Sequence, residues 1–180
     1  MIKARTVIGA HGFFFPDGTA FTIPAAGTCG RQAKPGAADP KWFDLGISDY
    51  GFKPNNKVEE VKAAAPGARV LWDLITVEKG LTITAKIMEL SNLVYQMLLG
   101  TNTLPDSPTA GGQYNPLEGD PVVRGWLQVQ QYNQANVLIN TLDVFVAMQI
   151  PGDVKFDDKL VDVDVEMKVL FSTLNTGTLS

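Results

Sequence analysis

One cysteine, Cys29, and one histidine, His11, are all that this 180-residue chain has of the two residue types most used for metal binding and nucleophilic catalysis. With a single thiol no disulfide can form within the chain. That removes the framework of a disulfide-stapled secreted domain and fits a reducing cytoplasm. A His-based triad or a multi-His metal site would rest on His11 alone, and no nucleophile signature flanks Cys29 in its Gly- and Pro-rich surroundings. There is no phosphate-cradling G-x-x-x-x-G-K-[ST] run and no G-x-G-x-x-G after a strand. Lys and Arg are never clustered and the net charge is -4, which disfavours tight binding to a phosphate backbone. The apolar runs are far too short to span a bilayer. The basic start leads into an apolar patch broken at His11 and Gly12, so no cleaved leader is expected.

What is present is ordinary globular material. A hydrophobic content of 45% against 19% charged argues for a folded core rather than disorder, and the length suits one domain, residues 1–180. The organising stretch runs from Leu71 to Thr101. An apolar run, Val70 to Val77, reaches Glu78-Lys79-Gly80, after which Leu81, Ile83, Ala85 and Ile87 alternate with Thr82, Thr84 and Lys86. Period two marks a half-buried strand, and the glycine-containing break predicts a hairpin at 78–80. Leu90, Leu93, Val94, Met97 and Leu98 then follow helical spacing. Ser91 is placed to cap the helix with its side chain, Leu90 to staple onto Tyr95, and Gly100 to close it.

Elsewhere the pattern is β. Pro16-Asp17-Gly18 is a turn, Thr19 to Ile23 a short strand, and Trp42 to Ile47 another. Lys57 to Ala65 is helical by propensity but is read as a strand, ended by Pro66-Gly67. Val122 to Tyr132 places Val123, Leu127 and Val129 on one face, with Gly125 marking a bulge. Val137 to Ile150 has nearly all its even positions apolar (Leu138, Leu142, Val144, Val146, Met148 and Ile150), and the last strand sets Val161, Val163, Val165, Met167, Val169 and Phe171 against Asp162, Asp164, Glu166 and Lys168. The tail from Asn175 has little reason to order by itself. Residues 1–41 read as an N-terminal arm and loop, and 102–121 as a second long loop. The expected class is β-rich α+β: an antiparallel β-sandwich or barrel with one short flanking helix, about residues 91–100, and two long loops.

Asp162, Asp164 and Glu166 project from one strand face about 7 Å apart. Carboxylates so close must be solvated, opposed by cations or metal-bound, and calcium normally takes its ligands from a wrapping loop rather than a straight ladder. A solvated face with lysine neighbours is the plain interpretation; an acidic surface that must not adhere to its neighbour is the sharper one. Trp42, Phe43, Trp72 and Trp126 suit core or interface better than a ligand platform.

Phe43-Asp44-Leu45-Gly46-Ile47, Glu59-Glu60, the expected hairpin around Glu78-Lys79-Gly80, Ile87-Met88-Glu89-Leu90-Ser91-Asn92-Leu93 through Leu99-Gly100, and the final strand follow one another in an order that resembles the phage major tail protein family, the tail tube subunits, which are related to type VI secretion tube proteins. The resemblance implies a structural virion protein without enzymatic activity or cofactor. Its subunits would assemble in the host cytoplasm into stacked hexameric rings, forming the conduit for DNA in a virion tail. Its partners would be other copies of itself, a tape-measure protein and tail-end proteins, and DNA would pass without specific binding. Either the Asp162, Asp164, Glu166 face or the Thr82, Thr84, Lys86 face would line the lumen, where like charge keeps phosphates from adhering. Two other functions compete. One is a carbohydrate- or ligand-binding β-sandwich using Trp42, Trp72 or Trp126 with an acidic calcium site. The other is a small hydrolase using Cys29 or paired carboxylates.

Overall fold

The computed structural model describes residues 7–16, 35, 42–87, 91–100, 115–116, 118–156 and 162–179. Cys29, Leu90, Val161, the expected strand at Thr19 to Ile23 and most of the 102–121 loop lie outside these. Ten strands and one helix follow in chain order: β1 (Val7–Phe15), β2 (Phe43–Ser48), β3 (Gly51–Pro54), β4 (Lys57–Ala65), β5 (Ala68–Glu78), β6 (Leu81–Ile87), α1 (Asn92–Leu99), β7 (Val123–Asn133), β8 (Leu138–Gln149), β9 (Val163–Val169) and β10 (Thr176–Leu179). Every strand pairing is antiparallel. The fold is β-rich α+β and sandwich-like, as its alternating patterns predict.

The main sheet runs β2-β1-β7-β8-β9-β6-β3, with β10 added to β8. Its two end strands, β2 and β3, are separated in sequence only by Asp49 and Tyr50. A flat sheet cannot satisfy that connection, so the sheet curls until its ends meet. Contact across the seam is direct: the Lys86 N–H donates to Ser48 Oγ at 3.1 Å. Inside the curl lie Phe14, Ile83, Ile87, Leu127, Val129, Val144, Val146, Met148, Val163, Val165 and Met167, joined by Leu93, Val94 and Met97 of α1. Each such fully buried side chain is worth about 1.5–3 kcal/mol of apolar burial, which explains why the period-two patterns of β6 and β9 were decisive.

The helix has its expected interior face and C-terminal closure, with Gly100 left-handed at φ 67 and its N–H bonded to the Gln96 carbonyl. At its start Ser91 adopts the extended cap conformation, but no side-chain cap bond forms. Its backbone carbonyl accepts from Val94 and Tyr95 instead.

Four expectations need correction. The hairpin at 78–80 does not exist: β5 pairs with β4, not with β6. The reversal is at Pro66-Gly67, where Gly67 has φ 79, and Lys79-Gly80 only passes the chain from β5 into β6. Gly125 marks no bulge, since the pairing of β7 is regular there; a Cβ would collide with the Phe15 carbonyl oxygen and the Phe14 ring, so the glycine permits close approach of β1. The last core strand stops at Val169, leaving Phe171 outside it and 93% exposed. Lastly, the tail orders, because β8 outruns β9. β9 covers Val146 to Gln149 of β8 and β10 covers Asn140 to Asp143.

Candidate assembly surface

Cross-strand partners share a face of a sheet. Thr84 lies opposite Glu166 and Lys86 opposite Asp164, so the two groups singled out in the sequence form a single outward face of adjacent strands. Lys86 Nζ lies 3.0 Å from Asp162 and 3.7 Å from Asp164, and Lys168 lies 3.5 Å from Glu166. Glu166 also accepts from Gln149 at 3.4 Å. The carboxylate ladder is thus opposed by cations. The hydrogen bond with Lys86 holds the Asp162 carboxyl below its usual range, and the same bond, reinforced by the charges of Asp162 and Asp164, raises the Lys86 ammonium. All three side chains are solvent-exposed, so these pairs contribute little to stability. Thr82 departs from the group. It is buried, with its hydroxyl accepting a bond from the Asn55 amide. Among the described residues no cluster of His, Cys, Asp and Glu could hold a metal.

The opposite kind of surface is carried by β4 and β5, which form a two-stranded ribbon apart from the main sheet. Pro54 of β3 pairs with Leu81 of β6, and three residues further along both strands Lys57 pairs with Glu78. The ribbon therefore begins in register with the β3–β6 ladder, and its pairing then shifts between Lys57 and Val58 and again between Val61 and Lys62. The joint is fixed by Asn55, whose N–H donates to the Gly80 carbonyl at 2.8 Å, and by Asn56, whose Oδ1 accepts from the Gly80 N–H. Beyond the joint every residue of β5 is exposed. Val58, Val61, Val70, Leu71, Leu74, Ile75 and Val77 are among the exposed large side chains, and Trp72 is 76% exposed at a bulge opposite Val61 and Lys62. A lone two-stranded ribbon is marginal in water, and this many exposed large apolar side chains on one ribbon mark it as a candidate contact surface.

Trp42 and Trp126 are buried, packing with Phe13, Phe15 and Phe145 on the outer side of β1 and β7. Only Trp72 remains of the proposed aromatic platform, and it belongs to the ribbon. No comparison with protein-family models or with curated proteins finds a match.

Sequence reasoning missed a buried polar row beside that aromatic cluster. Gln128 donates to Asp143 at 2.7 Å, Gln130 donates to Gln128 at 2.8 Å, and the Tyr132 hydroxyl donates to Gln130. Burial pushes the Asp143 carboxyl up to about 6, against the opposing pull of the Gln128 amide. Asp44 accepts bonds from His11 Nε2 and from the Gly46 N–H, while the His11 ring stacks on Phe13 at 4.3 Å. His11 Nδ1 is buried without a partner. The available signal is the alternation of Gln128 and Gln130 with Val129, which places both glutamines on the second face of β7 but does not tell a face turned to water from one covered by other side chains. Among the described residues no helix is long and apolar enough to cross a membrane.

Proposed function

We propose that this chain is a structural building block of a virion: a tail tube subunit that assembles into stacked hexameric rings and forms the conduit for DNA. The observation that carries this reading is the β4–β5 ribbon, a two-stranded extension of the sheet whose apolar side chains remain in water in the isolated subunit. Burying them against another copy recovers roughly 25 cal/mol per Å² of apolar surface and covers strand edges that otherwise invite uncontrolled pairing. The resemblance in the order of elements supplies the identity of the assembly, with a tape-measure protein and tail-end proteins as further partners and the virion tail as its location. No catalytic role is assigned to any residue.

The face holding Thr84, Lys86, Asp162, Asp164 and Glu166 is the proposed lumen lining. Two lysines, Lys86 and Lys168, sit among three acids and are engaged by them. Such a face presents phosphates with no free cationic patch, so DNA moves past it without release of counterions and without tight binding.

Sedimentation and negative-stain microscopy of the purified full chain test the proposal. Rings or tubes, present at once or formed on concentration, are the expected outcome. A chain that stays monomeric across micromolar to millimolar concentration overturns it.

A further inference from the structure

The sheet divides at one end. Thr82 on β6 lies opposite Lys168 on β9, so the start of β6 and the end of β9 share that end. From there the β6 side continues into β5 and the ribbon. The β9 side resumes, after Leu170 to Asn175, as β10 along β8. The edge of β5 turned away from β4 and the edge of β10 turned away from β8 therefore border one opening. Among the described residues no strand fills it. Every residue of β5 and β10 is exposed, and large apolar side chains flank both edges: Trp72 and Ile75 on one, Leu174 and Leu179 on the other.

The strands differ in how they are guarded. β4 carries Lys57, Glu59, Glu60 and Lys62, the charges that discourage edge pairing. Between Val70 and Val77, β5 has only Asp73. β10 has no charge at all. The charges on the ribbon are also partly matched internally, with Lys62 2.9 Å from Glu60 and Lys57 3.6 Å from Glu78, so little opposes the approach of a neutral edge. The shorter edge sets the extent of the pairing. The four residues of β10 extend about 13 Å, against about 36 Å for the eleven of β5. Backbone bonding is therefore confined to about a third of β5, and the flanking apolar side chains carry the rest of the contact.

We infer that β5 of one copy pairs with the β10 edge of a second copy, adding the ribbon to the β8–β10 side of its neighbour. This rests on the self-assembly reading above and names the two surfaces that meet. Made in one direction, with each copy giving β5 to one neighbour and taking it at β10 from another, the contact is head-to-tail and propagates into a ring or filament. A reciprocal exchange between two copies would close as a symmetric dimer, which sedimentation tells apart.

Single-cysteine chains test the inference in a Cys29→Ser background. One batch carries Thr76→Cys on β5 and another carries Thr178→Cys on β10; they are mixed, allowed to assemble and oxidised. The expected product is a mixed disulfide-linked dimer, at least tenfold more abundant than the dimer formed by either batch alone. Dominant linkage of Thr76→Cys to itself overturns the inference in favour of ribbon-on-ribbon pairing. Ring closure within a single chain carrying both cysteines, at high dilution, overturns it in favour of the chain's own edge. Sedimentation of the same samples separates the two levels: assembly without the mixed product sinks this contact alone, whereas failure of the unsubstituted chain to assemble sinks the proposed function too. As a second measurement, Leu179→Lys in the otherwise unaltered chain should raise the concentration needed for assembly at least tenfold with an unchanged melting temperature. Unaltered assembly of that variant counts against the contact.

Discussion

The side chain of Asn175 stands in for a missing stretch of backbone beside Phe145. Its Oδ1 accepts the Phe145 N–H at 2.9 Å while its Nδ2 donates to the Leu170 carbonyl at 2.8 Å, bridging the gap where β9 has ended and β10 has not begun. Asn175→Ala leaves both backbone groups without these partners, at a cost of about 1–3 kcal/mol. Hydrogen exchange should show β10 losing protection while β7 and the adjoining half of β8 keep theirs. Equal loss throughout the sheet would mean that the tail is not a separately anchored strand.

Asp143 makes stability depend on pH. Its carboxyl rises from the ordinary value of 3.8 to about 6 in the folded chain, chiefly through burial, so between those values the native state holds a proton that the unfolded state has released. Stability therefore falls as pH climbs from about 4 to about 6, and this contribution levels off above that. Asp143→Asn keeps a group able to bond Gln128 and removes the charge. It should flatten this slope and raise stability at pH 8 by about 1–2 kcal/mol. Denaturant titrations of both chains at pH 4, 6 and 8 check the difference.

Two glycines are required by close neighbours of different stiffness. A Cβ on Gly125 would strike the Phe15 carbonyl oxygen, which belongs to the backbone of a paired strand. A Cβ on Gly12 would strike the Tyr50 hydroxyl, at the tip of a side chain. Overpacking of this kind costs about 1–3 kcal/mol. Gly125→Ala should fall at the upper end in any background, whereas Gly12→Ala should cost less when combined with Tyr50→Phe. Additive losses in that double variant would refute the assigned clash.

Substitutions on the ribbon should separate folding from assembly. Leu74 is half-exposed on β5, and its replacement by glutamate removes no interior contact, so the monomer's stability should change by no more than about 0.5 kcal/mol. Particle formation, read by microscopy, should be lost. A variant that melts early would place Leu74 in the core of the subunit instead.

The architecture was legible wherever a strand has one wet face. β6 and β9 alternate cleanly because one side meets the core and the other meets water. β8 misleads over its first half, since Ile139, Thr141 and Asp143 are buried on the face opposite Val144, Val146 and Met148. Hydrophobicity alone does not reveal a polar residue buried with its partner. The ribbon's first strand, Lys57 to Ala65, and its end at Pro66-Gly67 are legible, but the pairing of β5 is not, for the converse reason. Both its faces mix apolar and charged residues, so no period emerges, and the glycine at position 80 imitates a hairpin turn. The acidic ladder was located correctly in the chain, yet its neutralisation by Lys86 depends on the pairing of β6 with β9, a contact between segments far apart in sequence.

Because Lys57–Glu78 is in register with Pro54–Leu81 and the first shift comes only beyond Lys57, the root of the projecting arm lies in line with the wall. A pull on the arm loads the β3–β6 hydrogen bonds together, along the strands, rather than peeling them open one after another. Force applied by a neighbour therefore enters the subunit at Asn55 and Gly80 and passes to β6 and β9, strands anchored by one face in the core.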